Sequence, residues 1–314
     1  MKRFVLVCAF VLLPIRLFAQ TSGAQGDTAP ATPPGHELTF SLGGYNYVEP
    51  GDTRISIHGI KFGGDYLGTF VLNERRHWFA QAGLRGNIGT TDYDGFCAPW
   101  FITPDRFSPN GYFLNLGEYS PCEDDGNQDW YVEGRGIIGK DFVRHEWTFS
   151  PHTGLGLRHL SNALDDIKGF RTENYLYLPV GVTARTAVGA EGALSFNFEY
   201  DHLLRGRQKT INSALGGGVV PATAIAPAFT IDGFEDVAFE QHQGFGVRGS
   251  AKYELNRHWS LQPYWIYWGV DDSTISPASV TFTVRGVTAV EQFSALEPNN
   301  WTNEFGIKFG VRFP

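Results

Sequence analysis

Two short acidic motifs in this chain could activate water. Asp92-Tyr93-Asp94 sets one carboxylate two positions from another, and Asp201-His202 sets a carboxylate beside an imidazole. A histidine oriented by a carboxylate can act as a general base. Cys97 and Cys122 bracket a segment rich in Pro, Gly and Asp, a pattern that reads as a disulfide in an oxidising compartment. Residues 92–128 also carry Asp105, Glu118, Glu123, Asp124 and Asp125 against Arg106 alone. That excess is either a solvated, repulsive rim or a site for a divalent cation or a basic partner. Its spacing matches no EF-hand loop, and neither a metal site nor a cofactor is assigned. A third set of charges is scattered along the chain among apolar residues. What it can do depends on which way the backbone turns each residue.

The elements begin with an address. Lys2 and Arg3 precede the apolar run Phe4 to Leu13, and Ala19 follows at a cleavage point, so residues 1–19 read as a signal peptide. Cys8 lies inside the run rather than after a lipobox, so no lipid anchor is expected. Residues 20–36, with a Pro/Gly/Thr-rich stretch, read as a flexible segment, and 37–314 as one domain. Cleavage removes three of the 25 basic residues and none of the 33 acidic ones, leaving a formal charge of −11. Nucleic acid is therefore not expected as a partner. No later segment offers the ~20 apolar residues of a membrane-spanning helix, so a chain crossing a membrane would have to do so as a β-barrel.

The sequence has that pattern. In the last segment Phe305, Ile307, Phe309, Val311 and Phe313 alternate with Glu304, Gly306, Lys308, Gly310 and Arg312. A barrel strand needs this period, apolar toward lipid and polar toward the lumen. It recurs in segments spanning 37–48, 60–72, 78–88, 130–142, 147–157, 175–184, 194–201, 245–255 and 259–270, less cleanly in the first, sixth and last of these. Ten antiparallel strands result, with eight or twelve also compatible. Connections alternate between short turns, near 73–77, 144–146, 187–192 and 256–258, and long loops, near 49–54, 92–128, 161–172, 202–241 and 271–300. Short turns belong to the periplasmic side and long loops to the outside, which puts both termini in the periplasm. Trp78, Trp147 and Trp259 each open a strand directly after a short turn, as an interfacial aromatic girdle requires.

The alternating final strand ending near Phe313 resembles the assembly signal of Gram-negative outer-membrane β-barrel proteins. The hairpin series resembles their porin-like and OmpA-like small barrels. The resemblance implies export, insertion by the barrel-assembly machinery, and a setting of outer-membrane lipid and lipopolysaccharide. Pro314 departs from it by following the terminal aromatic residue. The two water-activating motifs have topological similarity to omptins, ten-stranded outer-membrane proteases that carry an Asp pair on one loop and an Asp/His pair on another. The omptin pattern puts one residue between its second Asp and His, whereas Asp201 and His202 are adjacent and turn to opposite faces of a strand. The strand phase also turns Asp92 and Asp94 outward. The expectation is therefore a non-enzymatic barrel, with an omptin-like endopeptidase as the alternative.

Projected inward, the strands carry Lys61, Arg85, Arg135, Arg158, Arg185, Arg248, Lys252, Lys308 and Arg312 against Glu37, Asp65, Glu133, Asp141, Glu199, Asp201, Glu254 and Glu304. Near balance predicts mutual pairing. In a ten-stranded barrel such charges either line a narrow selective pore or form a compensated plug, and a wide porin is not expected. Function then falls to a structural role, a narrow pore, or surface interaction by the long loops, with the ligand open.

Overall fold

The computed structural model describes residues 32–51, 54–164, 167–216 and 218–313. Residues 1–19, read above as a signal peptide, most of the segment 20–36, and Pro314 lie outside the described residues. Ten long strands form the barrel: β1 (Gly35–Glu49), β2 (Ile55–Asn73), β3 (Trp78–Cys97), β4 (Ser120–Lys140), β5 (Trp147–Leu164), β6 (Ile167–Val188), β7 (Gly192–Thr210), β8 (Gly244–Glu254), β9 (Trp259–Val270) and β10 (Asn300–Phe313). Each pairs antiparallel with the next, and β1 pairs with β10 to close the ring. The closing register sets Phe40 opposite Phe309 and Leu42 opposite Ile307, with Glu37 opposite Arg312 and Ser41 opposite Lys308. Apolar and polar partners thus separate cleanly onto the two faces, and a slip of one residue would exchange them.

The outer face is apolar. Phe40, Phe62, Ile60, Leu157, Phe198 and Phe305 are each about 60% exposed. A contiguous belt of such side chains is a surface for hydrocarbon, not for water. Trp78 and Trp259 stand on its lower edge, also exposed, and Trp147 stacks against Phe149 there. Along β9 the outward residues run from Trp259 to Tyr267. Those eight steps span about 27 Å of strand, or roughly 20 Å of depth at barrel tilt.

The short turns are built locally. Asn73 caps a turn of 3-10 helix by accepting from the Arg76 amide, and His77 takes a left-handed φ of 58° before Trp78. His145 does the same before Trp147, with φ 55°. The Asn256 side chain accepts from the amides of His258 and Trp259. Both barrel ends, Gly35 and Phe313, lie at this same short-turn end.

At the other end the expected long loops 92–128, 161–172 and 202–241 need correction, because much of each is strand. β3 and β4 pair up to Cys97 and Ser120, β5 and β6 up to Leu164 and Ile167, and β7 up to Thr210, where Val237–Gln241 joins it. Beyond the belt both faces of a strand meet polar surroundings, so the apolar alternation that marks a strand in the sequence fades while backbone pairing continues. β8 and β9 are shorter. Above them the wall is completed by successive backbone bonds from Thr274 to Glu240 and from Ser273 to Glu297.

The remaining loop chain folds into a cap. A four-stranded sheet (Gly218–Val220, Phe229–Phe234, Ser276–Val284 and Val287–Ala295) packs with a hairpin, Trp100–Pro104 and Tyr112–Leu116. Their shared core includes Ile102, Leu114, Phe229, Val280 and Phe282. Arg285 and Gly286, both at positive φ, form the two-residue turn of its tightest hairpin. The Cys97–Cys122 disulfide ties the top of β3 to β4 just below the cap hairpin.

Candidate functional site in the barrel lumen

The inward side chains stack in layers. Nearest the short turns, Glu37 accepts from Lys252 Nζ at 2.5 Å and from Arg312 Nη2 at 2.9 Å, while Glu254 accepts from Arg185 Nη1 at 3.0 Å. One step up, Asp65 takes Lys308 Nζ at 2.5 Å, and Glu199 takes Arg135 Nη2 at 2.5 Å beside His152 Nε2 at 3.0 Å. Asp141 sits at the lower rim and accepts from Ser150 Oγ at 2.6 Å.

The middle of the lumen is sealed. Arg248 forks onto Glu133 through both terminal nitrogens, at 2.6 and 2.8 Å, and its Nε reaches Asp201 at 2.5 Å. Glu304 gathers Arg85, Asn87, Tyr131 and Tyr264. Lys61 pairs with Asp129 and lies 3.3 Å from the centre of the Tyr45 ring; Arg158 stacks 4.3 Å from that of Tyr131. Tyr177 fills space that Gly156 leaves, since a Cβ there would lie 2.0 Å from the ring. Lys61, Asp129, Asp201, Tyr177 and Trp268 are all at most 1% exposed. Charges this deep survive only when paired and hydrogen-bonded.

Above the belt a second polar cluster centres on Arg171, which contacts Glu49 at 3.0 Å, Glu297 at 3.2 Å and Glu173. Tyr47 donates to Glu49 and Tyr175 to Glu173, both at 2.7 Å. Burial pushes the Glu297 carboxyl up to about 7; Arg171 opposes the rise, and the neighbouring carboxylates Glu49 and Glu173 add to it.

All the charges projected inward from the sequence lie inside the barrel, and nearly all of them meet an opposite charge there. Glu49, Asp129, His152, Arg171, Glu173 and Glu297 were not foreseen. The first five stand in phase with foreseen residues on their own strands: His152 lies within its expected segment, and carrying the phase to the strand ends would have found the other four. Glu297 lies between strands and has no such signal.

The water-activating motifs do not form one cleft. Asp201 faces inward and is held by Arg248, whereas His202 faces outward and stacks on Tyr200. Asp92 accepts from the Gly126 amide, and Asp94 stands 3.5 Å from His58 Nδ1 with both side chains about half exposed. Among the described residues, no three His, Cys, Asp or Glu side chains are arranged to hold a metal ion.

A closed antiparallel ring, an apolar belt outside and a charged lumen settle the architecture. This chain is built as an outer-membrane-type β-barrel. No family model matches it, and no curated protein matches it. Among solved structures it is similar to the outer-membrane protease OmpT from Escherichia coli, at 11% identity, 92% of this chain, all of that one and a TM-score of 0.47. The translocator domain of autotransporter NalP from Neisseria meningitidis follows at 9% identity, 90% of each chain and 0.32. The Ralstonia pickettii toluene transporter TbuX gives 12% identity, 90% of each chain and 0.28. At this distance none of them carries an argument about what the chain does.

Proposed function

We propose that this protein is an integral barrel of the Gram-negative outer membrane that conducts no solute and acts through its external cap. Its short turns and both barrel ends face the periplasm, and its belt is surrounded by outer-membrane lipid and lipopolysaccharide after insertion by the assembly machinery. The observation that carries the reading is the sealed middle of the lumen, where Lys61, Asp129, Asp201 and Trp268 are out of contact with water. A continuous file of water past these groups would leave them exposed. The cap supports the second half of the reading, because loops that merely link strands have no need of a hydrophobic core of their own. Its surface carries exposed Phe107, Val219 and Ile225, which suit contact with a macromolecular partner.

Proteolysis is disfavoured by placement. Asp201 and His202 lie on opposite faces of β7, and Asp92 and Asp94 engage other groups outside the lumen. Liposome swelling tests the reading: refolded protein should leave vesicles as tight to small sugars as protein-free ones, and swelling that scales with protein would overturn it. Incubation with a basic-residue peptide library should give no cleavage. Cleavage lost on His202→Ala and on Asp94→Ala would favour the hydrolase.

A further inference from the structure

Below the Arg248 and Glu304 layer the lumen is not filled. A cavity of about 300 Å³ remains, roofed by Glu133 and Arg248. Residues Thr32 and Pro33 border its mouth, Thr32 bonding to Asp141 through both its amide, at 2.8 Å, and its hydroxyl, at 2.7 Å. Most ion pairs around the cavity share an orientation. The Arg312 side chain is 21% exposed over a Glu37 that is 6% exposed, and Arg135 is 21% exposed over a Glu199 that is 2% exposed. Lys252 and Arg185 are likewise more open than the carboxylates beneath them; Asp65 departs from this, matched with Lys308 and more open than Arg85. Glu37, Glu133, Glu199 and Glu254 lie closer to the wall than the cations that pair with them; Asp65 does not.

The inventory of the lining agrees. Seven Arg and Lys side chains line the space against five Asp and Glu, because Glu304 and Asp201 sit behind the lining. Among the buried charged atoms of the lining that lack a hydrogen bond, Asp65 Oδ1 and Arg85 Nε face each other at 3.3 Å, and Glu199 Oε1 faces Arg248 Nε at 3.5 Å. That leaves Arg185 Nε, a donor with nothing to donate to.

We propose that this cavity is a binding site for a small, multiply charged oxyanion that enters from the short-turn end. The chemistry is that of phosphate or a polycarboxylate: several fixed N–H donors around a confined volume, with the compensating negative charge held behind them. That the ligand would come from the periplasm rests on the orientation proposed above, but the test does not, since it is made in detergent micelles open at both ends.

The probe is a thiol placed in the cavity. Ser250 lines it, and Ser250→Cys is nearly isosteric; Cys97 and Cys122 are already joined, so this is the single reactive thiol of the mature chain. Each rate is referred to that of free cysteine. A sulfonate-bearing methanethiosulfonate should then react at least about tenfold faster than its trimethylammonium counterpart at low ionic strength. Citrate or inorganic phosphate should slow the reaction saturably, where chloride at equal ionic strength does not. Protection by phosphate alone or by citrate alone would assign the class. Equal rates, faster reaction with the cation, or no protection by either anion would overturn the proposal. Calorimetry on the unsubstituted protein needs no folding of a variant: saturable citrate or phosphate binding supports the site, and heats of dilution alone overturn it.

Discussion

Arg248→Met should be the most damaging single change in the lumen. Arg248 is the ion partner of both Glu133 and Asp201, it also bonds to the Tyr177 hydroxyl at 3.1 Å, and both carboxylates are at most 2% exposed. Methionine keeps much of the volume and removes the charge. Breaking one buried pair by deleting a partner costs about 3–5 kcal/mol. Two carboxylates are orphaned here, but they share a network, so their costs do not add fully. A loss of at least ~4 kcal/mol follows, a large part of the ~5–15 kcal/mol that ordinarily separates folded from unfolded protein. Neutralising the orphans as well, in Arg248→Met with Glu133→Gln and Asp201→Asn, should recover most of it. The assay is equilibrium urea unfolding in micelles, followed by tryptophan fluorescence and the heat-modifiable band on gels. An Arg248→Met protein within ~1 kcal/mol of the unsubstituted one would refute the reasoning, since water then hydrates those carboxylates as it does exposed ion pairs.

Three further outcomes follow from the same structure. Phe309→Arg places a charge on the belt and should cost about 2–4 kcal/mol if it lies near mid-membrane, while Phe309→Leu should be tolerated; urea unfolding in lipid vesicles measures both, and equal tolerance would reject the strand phase. The Cys97–Cys122 disulfide closes a loop with a sequence separation of 25, and reduction should loosen the top of β3 and β4 by at most ~3.5 kcal/mol while the barrel persists. Free-thiol labelling of denatured, unreduced mature protein should find no reactive thiol. Glu297 releases its proton at about 7 in the folded chain against an ordinary 4.5, so the native form holds the extra proton between those values. Its contribution is therefore intact below about pH 4.5, falls as pH rises toward 7, and is level above that, a change of at most about 3 kcal/mol. Protection from hydrogen exchange at residues 296, 297 and 299, referred to intrinsic rates, should lack this slope in Glu297→Gln and be greater than in the unsubstituted protein at pH 8.

The barrel was legible because lipid imposes a strict rule. A strand such as Glu304 to Phe313 must alternate, and the alternation reports both its existence and its facing. Trp78, Trp147 and Trp259 marked the turns, each opening its strand directly after a short connection. The rule lapses above the belt. Arg171 and Glu173 lie on the part of β6 that runs beyond the belt into polar surroundings, and there Thr172 between them no longer needs to be apolar. The cap was hidden for another reason: Ile102, Leu114, Phe229 and Phe282 form one core from three separate loops, and nothing in the local spacing of any loop announces its partners. In the candidate site the charges and their inward facing could be read, but not the pairing. That Arg248 would reach Glu133 and Asp201, rather than the adjacent Ser250 or Lys252, follows from strand register and side-chain reach.

Single-channel recording in planar bilayers tests the sealed lumen most directly. With the refolded, disulfide-intact protein inserted at neutral pH, the membrane current should remain at baseline, because the layer from Arg248 through Lys61 and Asp129 to Trp268 leaves no continuous water. Large, steady conductance steps that appear with each insertion and persist at constant voltage would contradict it.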